Sequence, residues 1–179
     1  MRPLRAAGMC AGLIAIVGCT ARDVEQPRLE SAEVVLPGFD SAVIRLVEGT
    51  GELRDASGTM IVEAGLTDWR AVGDLDGDGS TEAIVVLWSS GGGSGTFMDL
   101  ALFALESGGW MSDGAWRWQA SLPLGDRVRV RALTVDGETV EVHVTRHGPD
   151  DPMCCPTDQA VLRFRASGGR VEALETGGE

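Results

Sequence analysis

The chain has 179 residues and a formal net charge of −12, set by 27 acidic residues against 15 arginines and lysines. That excess of negative charge repels nucleic acid and anionic lipid headgroups, and no basic groove with interleaved aromatic residues offsets it, so nucleic-acid binding is excluded and cations become the expected partners. The length suits one domain able to bury a core.

Arg2 and Arg5 precede an apolar run from Met9 to Gly18 with no acidic residue before it, the layout of a secretory signal. A membrane-spanning helix needs about 20 apolar residues, and this run is about half that before Cys19, Thr20, Arg22 and Asp23. The residues Ile16-Val17-Gly18-Cys19 resemble the lipobox of bacterial lipoproteins, in which a small residue precedes a cysteine that receives a diacylglycerol. The resemblance implies a signal peptide over residues 1–18 and lipidation at Cys19. It also implies membrane attachment outside the cytoplasm, at the outer membrane where the cell has two, because Thr20 is not the aspartate that retains such proteins at the inner membrane. Val17 is bulkier than the usual alanine or serine, which keeps cleavage without lipidation, or an uncleaved signal, as the alternative. Loss of residues 1–18 takes the formal charge from −12 to −14.

Residues 19–31 are polar, include Pro27 and have no sustained periodicity, as expected of a tether. From Glu33 the pattern becomes that of strands: short apolar runs at Val34–Leu36, Val43–Val47, Met60–Val62, Ala83–Trp88 and Phe97–Leu105 are separated by Gly, Asp and Ser clusters. Phe97–Leu105 is ambiguous between helix and strand, while Trp116 and Trp118 alternate with Arg117 and Gln119 at period two. The expectation is a single all-β domain over residues 32–176, mostly antiparallel and sandwich- or blade-like, without internal repeats.

A hairpin is expected around Asp136-Gly137. A two-residue turn there would put the valines of the two strands on opposite faces. A three-residue loop, Val135 to Gly137 with Gly137 left-handed, instead pairs Val128 with Val144, Val130 with Val142 and Arg131 with Glu141. His143 then lies opposite Arg129 on the wet face, and His147 would lie about 14 Å further along, too far to share a metal.

The strongest chemical signal is Gly73-Asp74-Leu75-Asp76-Gly77-Asp78-Gly79-Ser80-Thr81-Glu82. Carboxylates at alternate positions of a tight loop converge on one point, and calcium takes six to eight oxygens. Asp74, Asp76 and Asp78 supply that pattern, Gly79 permits the turn, Ser80 offers its carbonyl and Glu82 can close the cage. Magnesium fits less well because it demands a strict octahedron and retains waters. The helix-loop-helix EF-hand pattern fails, since Val85 occupies the twelfth position where glutamate belongs. The loop resembles the shorter Asp-x-Asp-x-Asp-Gly motif of FG-GAP and VCBS repeats over roughly Ala71 to Leu105. That resemblance implies a calcium ion with a structural role; an acidic, ion-free turn is the competing reading.

The second unusual segment runs from His147 to Thr157 and contains Cys154 and Cys155. Outside the cytoplasm two cysteines suggest a disulfide, but adjacent Cα atoms lie about 3.8 Å apart, below the usual disulfide range, so a vicinal bond is strained. A rigid ring is the favoured reading; a redox-labile ring, intermolecular pairing, or soft sulfur ligands for Cu(I) from Met153, Cys154 and Cys155 with His147 are alternatives. The acidic loop, Leu124-Gly125-Asp126-Arg127 and the Gly148–Thr157 block together resemble a group of uncharacterised bacterial envelope proteins. No catalytic constellation stands out. Ser94 lacks the second glycine of a nucleophile elbow, because Thr96 stands there, and Cys155 with His147 lacks the papain-like signature. The expectation is a non-enzymatic, lipid-anchored calcium module with a structural or binding role and an envelope protein or glycan as partner; the alternative is a redox or copper-handling lipoprotein.

Overall fold

The computed structural model describes residues 28–108 and 114–174; Cys19, the signal-like segment and most of the expected tether lie outside them. The described residues form eleven strands: β1 Glu33–Leu36, β2 Ala42–Arg45, β3 Thr50–Arg54, β4 Met60–Gly73, β5 Glu82–Ser90, β6 Phe97–Glu106, β7 Ala115–Asp126, β8 Arg129–Asp136, β9 Thr139–Arg146, β10 Asp158–Ser167 and β11 Arg170–Ala173. They build two sheets, ordered β2-β1-β7-β6-β5-β4-β3 and β11-β10-β9-β8. Every pairing is antiparallel except β1 with β7, which meet in parallel at Glu33 and Arg117. The all-β expectation therefore holds, and the ambiguous segment Phe97–Leu105 is strand.

The larger sheet curls into a nearly closed barrel. Its two edge strands, β2 and β3, are consecutive in the chain and joined by a tight turn in which the Val47 N–H donates to the Thr50 carbonyl. Gly51 is needed at this seam, because a Cβ there would lie 2.6 Å from the Arg45 carbonyl oxygen. Bringing the edges together leaves little exposed ladder for a foreign strand to join. Inside the curl lie Val34, Leu36, Ile44, Val62, Ala64, Ala83, Val85, Leu87, Ala101, Phe103 and Trp116. Leu29, in a 3₁₀ turn over Leu29–Ser31, is 5% exposed and belongs to the same cluster. Packed structure thus begins ahead of the expected boundary at residue 32, inside the segment expected to be tether. Glu30 reinforces that start through a 2.6 Å ion pair with Arg70, which holds its carboxyl below the ordinary value.

The smaller sheet covers the outer face of β5 and β6. Ile84, Val86, Leu100 and Leu102 point outward from the barrel and pack with Val128, Val140, Val142, Val144, Phe164, Ala166 and Val171. Strand β5 is therefore covered on both faces, with every residue from Glu82 to Leu87 buried. This is why its sequence is a continuous apolar run rather than an alternating one. Each fully buried aliphatic side chain here contributes about 1.5–3 kcal/mol relative to exposure.

The β8–β9 hairpin departs from its expected register. Gly137 is left-handed as expected, with φ 54°, but the turn has two residues, Gly137 and Glu138, between the paired Asp136 and Thr139. Val135 then faces Val140, Leu133 faces Val142 and Val130 faces Val144, with a bulge between Val130 and Ala132. The bulge reconciles the two faces. The inward row of β8 is odd-numbered beyond Arg131 and even-numbered before it, so both halves meet the same valines of β9. His143 is exposed, opposite Ala132 rather than Arg129, and β9 ends before His147.

Candidate metal centre

The acidic loop joins β4 to β5, so its two ends are held by adjacent, antiparallel strands paired from Gly73 and Glu82 onward. Between them the chain folds on its own carboxylates. Asp74 accepts the Gly77 N–H at 2.8 Å on one oxygen and the Gly79 N–H at 3.2 Å on the other. Asp76 accepts the Asp78 N–H at 3.2 Å, and Asp78 accepts the Ser80 N–H at 2.7 Å. Gly77 and Gly79 take φ values of 78° and 90°, which a side chain would strain. The result brings one oxygen from each of Asp74, Asp76 and Asp78 to within 4.8 Å of the others, an arrangement that can hold a metal ion.

Glu82, at the start of β5, is 91% buried by the complement of its 9% exposure, and accepts the Leu75 N–H at 3.0 Å. It stands behind the triad rather than within it. Burial pushes its carboxyl above the ordinary value, and the neighbouring charges of Asp76, Asp78 and Asp74 add to the effect. The opposite holds for Asp78, which the Ser80 backbone N–H and hydroxyl keep below its ordinary value. Ser80 therefore serves the loop through its N–H and hydroxyl. Among the described residues none of these carboxylates is paired with an arginine, whereas on the second sheet Arg146 pairs with Asp158 and Arg163 with Glu141. Among the described residues no cationic side chain is paired with this negative charge.

One partner of the site was not visible in the sequence. The turn between β10 and β11 brings the Gly168 N–H to 2.9 Å from the second oxygen of Asp76, across 92 residues. With Gln119 and Gly169 it forms the far wall of a cleft of about 240 Å³ whose near wall holds Asp76, Asp78, Ser80 and Glu82. The acidic loop thereby ties the barrel to the second sheet. Nothing local to Ser167-Gly168-Gly169 marks this role beyond its being a glycine turn.

The segment after β9 is organised by Asp151, which accepts the N–H groups of Gly148 at 2.8 Å and Thr157 at 2.7 Å and the Thr157 hydroxyl at 2.7 Å. Cys154 and Cys155 are joined in a vicinal disulfide with Cα atoms 3.8 Å apart. Both are exposed, as is Met153. Among the described residues the aspartate triad is the cluster of histidine, cysteine or acidic side chains that converges on one point; His147 does not converge with the two cysteines. Ser94, in the glycine-rich turn before β6, accepts hydrogen bonds from Arg127 through its carbonyl at 2.9 Å and its hydroxyl at 3.0 Å. Comparison with known proteins found no matching family model, no similar curated protein and no similar solved structure.

Proposed function

We propose that this chain is a lipid-anchored, calcium-binding β-domain of the bacterial envelope, with a structural or binding role and an envelope protein or glycan as its partner. The observation that carries the calcium reading is the convergence of Asp74, Asp76 and Asp78 to within 4.8 Å, with no arginine paired to them among the described residues. Like charges that close repel one another, and a divalent ion turns the repulsion into attraction. Glu82, whose proton affinity is already raised by burial and by the triad, gains from the same ion. The likeness of the loop to FG-GAP and VCBS motifs favours calcium over other divalent ions, and the anchor rests on the lipobox-like Ile16-Val17-Gly18-Cys19.

Calcium at this position acts as a clamp. Asp76 would hold the ion with one oxygen while the other accepts from Gly168, so occupancy stiffens the junction between the barrel and the second sheet. The test is thermal unfolding of the protein with calcium, with magnesium and with excess chelator. A ligand at 100 times its dissociation constant that binds only the folded state adds about 2.7 kcal/mol, which raises the midpoint of a protein this size by roughly 5–11 °C. A rise selective for calcium supports the reading, and equal midpoints in all three conditions refute it.

A further inference from the structure

Strand β4 is interrupted near its middle by a register shift against β5. Leu66 pairs with Leu87 and Arg70 pairs with Val85, so Thr67, Asp68 and Trp69 stand opposite the single residue Val86. The protrusion is pinned from within: the Thr67 hydroxyl donates to the Val86 carbonyl at 2.8 Å, and the Trp69 N–H donates to the Thr67 hydroxyl at 3.2 Å. A bulge of this kind sacrifices ladder bonds and re-aims side chains. What it presents is Trp69, which is 38% exposed and joins neither core cluster.

Trp69 lies in a groove of about 480 Å³ between the bulge and the start of β8, with Leu66, Asp68, Arg129 and Val130 among its walls. The volume falls within the range of ordinary ligand sites, roughly 300–1,000 Å³. Asp68 and Arg129 are both exposed, and neither has an ion-pair or hydrogen-bonding side-chain partner among the described residues. This contrasts with Arg54, Arg70, Arg117, Arg127, Arg146 and Arg163, each of which holds an acid within 3.0 Å. The groove thus offers a flat aromatic face, an acceptor-only carboxylate and a donor-only guanidinium, with no net charge.

We infer that this groove is a binding site for a neutral oligosaccharide, with Trp69 as the stacking platform and Asp68 and Arg129 as the polar contacts. A pyranose ring presents an apolar C–H face to an indole, and its rim of hydroxyls both donates and accepts, which matches one carboxylate and one guanidinium. Polyanions are disfavoured by Asp68 and by the overall charge of −12. The site is separate from the acidic loop and does not depend on calcium being held there.

The test titrates the purified protein with chitotetraose, cellotetraose and maltotetraose, followed by calorimetry and by the indole N–H resonances of its five tryptophans. At least one of these sugars is expected to bind with a dissociation constant below about 10 mM and to shift one indole resonance, identified as Trp69 by its loss in Trp69→Phe. Trp69→Ala should weaken binding at least about tenfold and Trp69→Phe much less, while Arg129→Gln, on an exposed side chain, should weaken it without moving the unfolding midpoint. Binding should persist in chelator, which separates this inference from the calcium reading. Absence of binding by all three sugars, binding indifferent to Trp69→Ala, or capture of a peptide but no sugar in this groove would each overturn it.

Discussion

Replacing Glu82 with glutamine should change stability in opposite directions with and without calcium. In the folded protein burial raises the Glu82 carboxyl above its usual value, and the three aspartates raise it further. A raised acid contributes most favourably below its unfolded value of 4.5, and that contribution is lost as pH rises from there toward the raised folded value. At pH 7 with chelator present, the native protein therefore carries a net cost from this group, whether it keeps or releases its proton. Glutamine removes the ionisation while its amide oxygen can still accept the Leu75 N–H. Because a neutral acceptor is weaker than a carboxylate, the net gain should stay below about 1 kcal/mol. With saturating calcium the sign reverses. Losing one negative charge beside the ion, at a tenfold cost in affinity, removes about 1.4 kcal/mol of ligand-linked stability; set against the gain, this leaves a net loss of about 0.4–1.4 kcal/mol, or roughly 1–6 °C at the midpoint. Paired thermal melts of the parent and Glu82→Gln, in chelator and in calcium, measure both effects. A shift of the same sign and size in both conditions would refute the placement of Glu82 beside an ion.

Asp99 supplies a pH signature elsewhere in the barrel. It shares a face of β6 with the core residues Ala101 and Phe103, and burial pushes its carboxyl from 3.8 up to about 6. The folded state holds this proton more tightly than the unfolded chain, so its contribution is full below about pH 3.8, falls as pH rises to about 6, and is flat beyond. Asp99→Asn should flatten that decline and raise stability at pH 7, by at most about 3 kcal/mol and less where water reaches the carboxylate; denaturant melts from pH 4 to 7 with an unchanged slope would contradict it. In the loop after β9, Asp151→Ala should increase cleavage between His147 and Thr157 in limited proteolysis more than Cys154→Ser with Cys155→Ser, because Asp151 holds both ends of that loop. Equal or reversed sensitivity would show that the disulfide, not the carboxylate, orders the segment.

The sequence by itself determined where most strands lie, since alternation and short apolar runs are local and survive any arrangement of neighbours. It also showed that Ala83–Trp88 is a strand of the interior, and that Asp74, Asp76 and Asp78 sit at alternate positions of a tight, glycine-containing loop where carboxylates converge on one point. Tertiary structure decided what depends on partners distant in the chain. The inward row of β8 could not be read from Val128 and Val130 alone, because a bulge at Arg131 transfers it to Leu133 and Val135, and a bulge is selected by the strand opposite rather than by its own residues. Closure of the barrel drew Leu29 out of a segment that reads as tether, since one buried leucine leaves no periodicity. Gly168 reaches Asp76 only because the second sheet docks on the outer faces of β5 and β6, and the bulge that presents Trp69 exists only in register with β5. In each case the chain encodes the side chain, and the packing of a second element fixes what that side chain meets.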